Sequence, residues 1–507
     1  MNKKIIFIVT MLTITASIGC KNKNNGSNIS SLSIDPDNYS ETYKQLWDIE
    51  QESLRTGNAT LDFYNFNDLH GATDYFENGY FTEPGIRKLS TYIKEQKVKN
   101  PDGFILTSSG DMWQGSADSN ITKGALVVDW MNLLNFDAQA IGNHEFDWTV
   151  DTINENQKNM NFPLLACNII DKNTSEPVEW VQPYTTLTRK GVHIGVVGAI
   201  GEGQTADILA ANVKDLKFDN PTNYVVKWSN YLLDNGADII LYLLHDTVKN
   251  ISSSVANAIN VGFSGHSHSG ENEIIGKNKA HVVQAYCNGR DIGHICLTYS
   301  FKNKACSTSK SELLDTRYIK NSDDPETNSL YQKYLDEQIS AIKNRVVGHT
   351  NSIIPKSSLP NIYNQYAYKY YLDELEESYS IFAVETNNVR SDILAGDITY
   401  GDVYKSFPFD NALCLIKVSG YNFKNVLCTY ESATFYMINE QISCSYNNAS
   451  SYVPSDSEYY YVLTIDYIAT STFSSSKYEI IKIYETEDAL PRNIVSKYIC
   501  DYPSNIN

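Results

Sequence analysis

The chain has little positive charge for its length. Its 507 residues include 41 lysine and arginine residues against 60 aspartate and glutamate residues, which gives a formal net charge of −19. Such a surface repels a polyanion at long range, so nucleic acid is not expected as a partner. Small phosphorylated molecules remain possible partners, because a bound metal ion can reverse the local field.

The apolar run near the start of the chain is too short to remain in a membrane. Ile5 to Ile18 gives fourteen residues, whereas a helix needs about 20 to cross a bilayer. Two lysines precede the run and Gly19-Cys20 follows it, which is typical of an export signal. Residues 16–20 resemble the lipobox of bacterial lipoproteins. We therefore expect residues 1–19 to be a lipoprotein signal peptide and Cys20 to carry a lipid that anchors the exported protein to the bacterial membrane or cell surface.

An ordinary secretory signal with an incidental cysteine is the alternative interpretation of this segment. In either case, residues 20–57 are predicted to be a tether and lead-in, because Lys, Asn, Gly and Ser dominate their first part.

Two further absences concern cysteine and histidine. No two cysteines have the CxxC spacing, so the spacing predicts no disulfide pairing. No histidine follows His349, so the last part of the chain is not expected to bind a transition metal by itself. The length suits two large domains, since single cores stop growing at about 250 to 300 residues.

The first part of the chain alternates between apolar runs and helical patterns, which predicts an α/β layered domain. In such a domain, ligands collect at the carboxyl ends of the strands. The predicted strands are 61–66, 103–109, 136–141, 162–166, 192–200, 238–244 and 261–264, and the predicted helices are 85–98, 125–134 and 223–235. After a predicted connecting helix at 324–347, a helix at 363–378 and strands at 381–385, 413–418 and 459–464 indicate a second domain.

Polar motifs follow five of the predicted strands. They are Asn67-Asp68-Leu69-His70-Gly71, Gly110-Asp111, Gly142-Asn143-His144-Glu145-Phe146-Asp147, His245-Asp246 and Gly265-His266-Ser267-His268. Each motif alone is more often a turn or a surface coincidence. Together, in this order and at strand ends, they indicate one site.

The residue types in these motifs suit two divalent cations about 3.5 to 4 Å apart, which need a bridging carboxylate and several neutral donors. Asp68 and His70 alternate along an extended segment and can hold one ion. Asp111 follows a glycine that permits a tight turn, and its carboxylate can bridge both ions. Asn143, His245 and His266 can complete one site, while His268 reaches the other. His144 is then left to protonate the leaving oxygen or to stabilise the transition state, with its ring oriented by Asp147.

The order of these motifs, with Gly110-Asp111 continuing to Gln114-Gly115-Ser116, resembles the calcineurin-like metallophosphoesterases. More narrowly, it is similar to the bacterial 5'-nucleotidase and UDP-sugar hydrolase family. This resemblance implies a four-layer αββα sandwich at 58–323, a linking helix at 324–350 and a smaller α+β substrate-recognition domain at 351–507. It also implies two divalent ions (Zn, Mn, Co or Fe), one held by Asp68, His70, Asp111 and His268, the other by Asp111, Asn143, His245 and His266, with His144 and Asp147 as the catalytic dyad.

The second domain matches the same family less closely. The segment 396–411 is similar to the family signature, in which Phe409 would stack on a nucleobase, Tyr467 would form the other half of a clamp, and Asn411 and Arg390 would contact the substrate. The alternative is that Phe407 and Phe409 merely alternate along a half-buried strand. Residues 385–390 lack the usual glycines, and residues 471–475 replace a glycine-rich turn that carries a carboxylate. Altered specificity is therefore expected.

These features predict an exported two-metal phosphohydrolase that removes phosphate from nucleotides or related phosphate esters. A phosphodiesterase or nucleotide-sugar diphosphohydrolase that uses the same metals is the alternative enzyme. A non-catalytic surface binding protein on a degenerate nucleotidase scaffold is the alternative from another class. The partner expected is a small phosphorylated substrate, and the sequence predicts no oligomeric state.

Overall fold

The computed structural model describes residues 46–77, 82–320, 322–371, 381–385, 389–425, 434–437, 440–442, 455–470, 477–484 and 486–501. The predicted signal peptide and Cys20 lie outside these residues, as do residues 386–388 and 471–475. Within the described ranges, none of the helices combines the length and apolar character that crossing a membrane requires.

Two six-stranded sheets form the first domain. The first sheet contains, in spatial order, Ala305–Asp315, Asp291–Ser300, Asn58–Phe66, Phe104–Ser108, Ala138–Ala140 and Leu164–Leu165. The second contains Glu271–Ile275, Ala280–Gln284, Val261–Phe263, Ile239–His245, Val192–Ile200 and Tyr184–Arg189. Val192–Ile200 is buried throughout, as expected for a continuous apolar run whose two faces are both covered.

Side-chain alternation along the strands shows how the layers pack. Leu61 and Phe63 of the first sheet meet Leu241 and Leu243 of the second in a core between the sheets. Phe66 points to the opposite face and packs in a core with helical residues. On the second sheet, Tyr242 and Leu244 of the strand Ile239–His245 point outward and pack under the helix Thr222–Asp234. The predicted four-layer αββα sandwich is confirmed.

Helices cover the outer faces of both sheets and connect their strands. In the first domain they are Gly85–Lys99, Ala117–Ile121, Ala125–Leu134, Val150–Asn159, Thr222–Asp234 and Ser253–Ala256. Short 3-10 helices occupy Ile49–Leu54, Pro101–Gly103, His144–Trp148, Glu202–Asp207, Ala210–Val213 and Val248–Asn250. Two small pairs, Ile169–Asp171 with Leu216–Phe218 and Phe76–Glu77 with Thr82–Glu83, complete this part.

The connecting helix is shorter than the sequence predicts. It runs through Pro325–Tyr334, a π-helical turn at Leu335–Ile339, and Ser340–Lys343. Val346–Thr350 is a strand instead, because this segment, in which Val346, Val347 and Thr350 are β-branched, pairs with Gly396–Thr399.

The smaller second domain is built on a third six-stranded sheet. Its strands are Glu440–Ile442, Thr434–Met437, Ile381–Glu385, Tyr459–Ile465, Leu413–Ser419 and Tyr478–Ile483 in spatial order. The helices are Leu359–Tyr371, Tyr400–Ser406, Gly420–Asn425, Asp466–Thr470 and Pro491–Asp501, with a 3-10 helix at Glu487–Ala489. The smaller α+β domain is confirmed.

Strand direction brings the predicted motifs to one edge of the sandwich. Asn58–Phe66, Phe104–Ser108 and Ala138–Ala140 run parallel, so the loops that follow them leave the sheet at the same edge. Ile239–His245 and Val261–Phe263 are also parallel in the second sheet. The loops from both sheets meet at these carboxyl ends.

Candidate active site

Main-chain hydrogen bonds lock together the loops that carry the predicted ligands. The amide of Asp68 donates to the carbonyl of Gly110 at 3.0 Å, and the amide of His70 donates to the carbonyl of Asp111 at 3.0 Å. The amide of His266 donates to the carboxylate of Asp68 at 2.9 Å, which ties a loop of the second sheet to one of the first. The positions of these side chains are therefore set by the backbone of both sheets.

Five of the predicted ligands adopt the left-handed region of backbone space. The φ angles are 52° for Asp68, 49° for His70, 55° for Asp111, 74° for His266 and 54° for His268. Non-glycine residues rarely adopt this conformation, and clusters of such residues are typical of functional sites. Here the sharp turn at each residue lets strands from two sheets aim their side chains at one region.

Close packing of backbone accounts for two glycines of the motifs. Gly110 has φ of 91°, and a Cβ there would lie 2.7 Å from Nδ1 of His245. A Cβ on Gly142 would lie 2.2 Å from Oδ1 of Asp111. Both positions require the absence of a side chain, so that the Asp111 loop can pass directly against its neighbours.

One group of donor atoms consists of Asp68, His70 and His268. The Nε2 atoms of the two histidines are 2.9 Å apart, and Nε2 of His268 lies 3.4 Å from Oδ1 of Asp68. Asp111 is next to this group, with its Oδ2 atom 3.9 Å from Nε2 of His70.

The second group consists of Asp111, His245 and His266, with Asn143 between the two histidines. Nε2 of His245 is 3.1 Å from Oδ2 of Asp111. Oδ1 of Asn143 is 3.0 Å from Nε2 of His245 and 3.0 Å from Nδ1 of His266. Asp111 therefore contacts both groups, and all seven predicted ligands converge.

The hydrogen-bond chemistry of these groups fits bound cations. Nδ1 of His245 lies 2.7 Å from the carbonyl of Ser109, and Nδ1 of His70 lies 3.0 Å from the carbonyl of Gln114. A carbonyl only accepts, so each Nδ1 carries a proton, and loss of the proton from Nε2 leaves a lone pair there that a cation can bind. In His245 this lone pair faces a carboxylate and an amide oxygen, an arrangement of acceptors that a cation stabilises.

His144 and Asp147 form a hydrogen-bonded pair beside the donor groups. Nδ1 of His144 is 2.9 Å from Oδ2 of Asp147, so Nε2 of His144 is left to face the site. Burial lowers the pKa of His144, but the carboxylates of Asp147 and Asp111 outweigh it and raise the pKa above its ordinary value. Burial alone would raise the pKa of Asp111. The neighbouring rings of His245 and His144 outweigh burial and hold this pKa well below the usual range.

Glu145 is a further residue of the site, and it has no role in the sequence prediction. Its fully buried carboxylate accepts hydrogen bonds from the amides of Asp111, Met112, Trp113 and Gly142 at 2.7 to 3.3 Å. It therefore fixes the Asp111 loop against the Asn143 loop. A buried carboxylate inside a ligand motif could have suggested this role, but three of its four partners lie about thirty residues away and no local pattern identifies them.

A cavity of about 650 Å³ opens from the donor groups and extends between the two domains. Its wall includes His70 and His268 of the first domain and Arg390, Pro408 and Phe409 of the second. The carbonyl of Pro408 accepts hydrogen bonds from the side chains of Gln114 and Asn120, which seats the second domain next to the Asp111 loop.

The four predicted substrate-binding residues differ in their positions. The ring centroid of Phe409 is 5.6 Å from that of His144, and the guanidinium of Arg390 lies 5.0 Å above the Phe409 ring. Asn411 instead donates to Asp466, and the hydroxyl of Tyr467 donates to the carbonyl of Ala206 in the first domain. The structure thus brings Phe409 and Arg390 to the dyad, whereas Asn411 and Tyr467 do not line the cavity.

The strand alternative for Phe407 and Phe409 is wrong. A capping box formed by Thr399 and Asp402 begins the helix Tyr400–Ser406, and both phenylalanines follow the end of that helix in a loop. Phe407 turns into the domain core, while Phe409 turns toward His144.

Comparisons with known proteins agree with this architecture. Residues 346–474 match the family model described as the 5'-nucleotidase C-terminal domain. A 5'-nucleotidase-related protein of Glossina morsitans morsitans is 26% identical over 382 residues, which cover 68% of this chain and 67% of that protein. Protein UshA of Yersinia enterocolitica is 24% identical over 425 residues, 74% of this chain and 76% of UshA.

Among solved structures, a 5'-nucleotidase precursor from Thermus thermophilus shares the fold with a TM-score of 0.72 and 18% identity, covering 88% of this chain and 97% of that one. The matching C-terminal domain, the similarity over most of the chain and the shared two-domain fold together support membership of the 5'-nucleotidase and UDP-sugar hydrolase family.

Proposed function

We propose that the protein is an exported two-metal phosphohydrolase that releases phosphate from nucleotides or related phosphate esters. The observation that carries the proposal is the convergence of seven oxygen and nitrogen donors beside the His144–Asp147 pair, at the end of a cavity between the domains. Asp68, His70, Asp111 and His268 would hold one ion. Asp111, Asn143, His245 and His266 would hold the other.

Divalent ions in these positions would neutralise the phosphoryl oxygens and make a water molecule more nucleophilic at neutral pH. The residues supply the rest of the chemistry. His144, oriented by Asp147 and with a raised pKa, keeps a proton that it can give to the leaving oxygen. The 3-10 helix His144–Trp148 places both residues on one side of the site.

Arg390 is proposed to bind an anionic group of the substrate. Its guanidinium faces the cavity and, within the described part of the chain, forms no ion pair. A planar guanidinium suits bidentate contact with a phosphate. Phe409 is proposed to recognise the remainder of the substrate, close to the phosphoryl group because it contacts His144. Asn411 and Tyr467 do not line this cavity, so their contact with substrate stays a prediction.

The decisive experiment measures metal content and phosphate release together. Purified protein loaded with Zn²⁺, Mn²⁺, Co²⁺ or Fe²⁺ would be tested on nucleotides, nucleotide sugars, cyclic nucleotides and a simple aryl phosphate. We expect about two ions per chain and the fastest release from a nucleotide. Preference for a cyclic nucleotide or a nucleotide sugar would favour the phosphodiesterase or diphosphohydrolase. Metal-loaded protein that cleaves none of them would favour the non-catalytic binding protein.

We also propose that Cys20 carries the lipid anchor, on the strength of the export signal and the lipobox-like segment that precedes it. Metabolic labelling with palmitate should mark the full chain and fail to mark Cys20→Ala. Equal labelling of both proteins would rule the anchor out.

A further inference from the structure

The loop at 407–411 carries Phe409 to the cavity, and Arg492 holds its backbone from behind. Arg492 is the second residue of the helix Pro491–Asp501, is only 6% exposed, and does not itself line the cavity. Its Nη1 atom donates to the carbonyl of Phe409 at 3.1 Å, and its Nη2 atom donates to Oδ1 of Asp410 at 2.5 Å. One guanidinium group therefore binds two neighbouring residues of the loop.

The position of the Arg492 guanidinium is itself fixed by the second domain. Its Cζ atom lies 4.1 Å from the centroid of the buried Tyr404 ring. Tyr404 belongs to the helix Tyr400–Ser406, which leads directly into the loop. Asn493, the next residue after Arg492, accepts a hydrogen bond from the hydroxyl of Tyr400 at 2.6 Å. The C-terminal helix is thus joined to the helix that precedes the loop.

The first domain contacts the same loop from the other side. The carbonyl of Pro408 accepts hydrogen bonds from two side-chain amides of that domain. Oδ2 of Asp410 pairs with Lys123 at 2.9 Å, while Oδ1 of the same carboxylate binds Arg492. Phe409 lies between these two anchored residues, so the direction of its ring depends on the contacts that hold them.

The two cations that bind Asp410 differ in their exposure to water. The side chain of Lys123 is 51% accessible, whereas that of Arg492 is 7% accessible. Exposed ion pairs are screened and contribute little, and an ammonium is a point charge that cannot hold two acceptors in a fixed plane as a guanidinium does. Arg492 is therefore the stronger of the two anchors.

We infer that Arg492 is a positioning residue for substrate recognition, which fixes the backbone of Phe409 and Asp410 so that the Phe409 ring is in place to stack on the base of a nucleotide. The inference rests on the proposed function, in which Phe409 recognises the part of the substrate beyond the phosphoryl group. Arg492 acts through Phe409 and does not touch the substrate. Its loss should weaken nucleotide binding and leave the metal ligands and the dyad unchanged.

Steady-state kinetics of the metal-loaded full chain on a nucleotide and a small aryl phosphate tests the inference. Arg492→Met keeps an unbranched side chain against Tyr404 and removes both donors. KM for the nucleotide should rise about tenfold, as expected when stacking on a base is lost, with kcat and the aryl phosphate hardly affected. Arg492→Lys, which can hold one acceptor at a time, should give an intermediate KM.

Arg345→Met is the matched control for these variants. The guanidinium of Arg345 lies 4.8 Å from the centroid of the Tyr400 ring, at the beginning of the helix Tyr400–Ser406, whereas the loop follows the end of that helix. The control should keep the wild-type KM for both substrates. Hydrogen exchange of the peptide that covers 407–411 should be faster in Arg492→Met and unchanged in Arg345→Met, which measures the anchoring without any activity.

A double variant distinguishes positioning from a general loss of structure. If Arg492 acts through Phe409, Arg492→Met should add nothing to the nucleotide KM of Phe409→Ala, whereas independent effects would multiply. If Arg492→Met does not fold, Arg492→Lys alone and together with Phe409→Ala gives the same comparison.

Three results would overturn the inference and leave the phosphohydrolase intact: a wild-type nucleotide KM in the Arg492 variants, multiplied effects in the double variant, or unchanged hydrogen exchange in the loop. Metal-loaded wild-type protein that cleaves none of the phosphate esters overturns the proposed function instead.

Discussion

The two sides of the cavity are held in different ways. On the first domain, Asp68, Asp111, Asn143 and His245 are at most 1% exposed, and each is bonded to neighbouring loops. On the second domain, Arg390 reaches into the cavity from an exposed position without an ion pair among the described residues. The chemical groups are thus preorganised by the fold, whereas recognition depends on how the second domain sits on the first.

Several polar contacts join the domains. They include the carbonyl of Pro408, the ion pair of Lys405 with Glu83 at 3.3 Å, and the ion pair of Lys123 with Asp410 at 2.9 Å. Changes on the first domain should therefore abolish the reaction for every substrate. Changes on the second should alter which substrate is preferred.

The largest effect is expected for Asp111→Asn. Asp111 contacts both donor groups, so the variant should lose bound metal and lower kcat by about 10³-fold or more, because the loss of one electrostatic group in a catalytic site already costs about 10² to 10³. Metal analysis and phosphate release measure the two quantities. Asp246→Asn is the control, because its carboxylate contacts Thr247 and Asn250 rather than the donor groups. Full metal content in Asp111→Asn would show that it does not bridge the ions.

His144→Ala should lower kcat by about 10² to 10⁴-fold while both ions stay bound, since general acid catalysis contributes about that much. The loss should be similar for a nucleotide and an aryl phosphate with equally basic leaving groups. His349→Ala, an exposed histidine paired with Asp397, serves as the control. If His144→Ala lost one equivalent of metal, its role as a non-ligand would be wrong.

Glu145→Gln should lower metal affinity by about 10 to 100-fold, the usual cost of removing a group that orients ligands. The amide would place an N–H against one of four main-chain donors, so the free energy of unfolding should also fall by about 1 to 3 kcal/mol. Metal titration and denaturant unfolding measure both. Glu155→Gln, on the exposed surface, should change neither.

Phe409→Ala should raise KM for nucleotides by about tenfold or more, because stacking on a base is worth about 1 to 3 kcal/mol. An aryl phosphate too small to reach a base site should be hardly affected. Steady-state kinetics on both substrates shows whether Phe409 binds a base. Equal losses in kcat would mean that Phe409 acts through its contact with the His144 ring rather than on a base.

The smallest effect is expected for Lys123→Met. Half of the lysine side chain is exposed, and surface ion pairs of this kind contribute about 0 to 1 kcal/mol. Nucleotide KM and the thermal midpoint should both stay close to those of the wild-type protein. A large rise in KM would show that this ion pair, rather than the Pro408 contacts, sets the domain arrangement.

The sequence predicts the parts of the fold that depend on local pattern. Val192–Ile200 and Ala125–Leu134 have the predicted bounds, because an unbroken apolar run and a helical period are visible within a few residues. The sequence also predicts the edge of the sandwich at which the motifs meet, because each polar motif directly follows a strand.

Other features depend on contacts between distant residues, and the sequence could not reveal them. The four amides bound by Glu145 belong to two loops, and Phe409 meets His144 across a separation of 265 residues. The resemblance places Asn411 and Tyr467 with Phe409, but no local pattern shows that their side chains hydrogen-bond to Asp466 and to Ala206. Nor does any periodicity mark the π-helical turn at Leu335–Ile339.

The left-handed conformation of five predicted ligands would tie the stability of the protein to the supply of metal. A non-glycine residue in this conformation lowers the stability of the fold by about 1 to 2 kcal/mol. The summed cost is a large part of the folding free energy of an ordinary domain, because five residues adopt it: Asp68, His70, Asp111, His266 and His268. Ions bound at the proposed site would return this energy by mass action, since the assembled donor groups exist only in the folded chain. When metal is scarce, the unfolded fraction exposed to proteases should rise, and the abundance of the protein should fall with the metal that it uses.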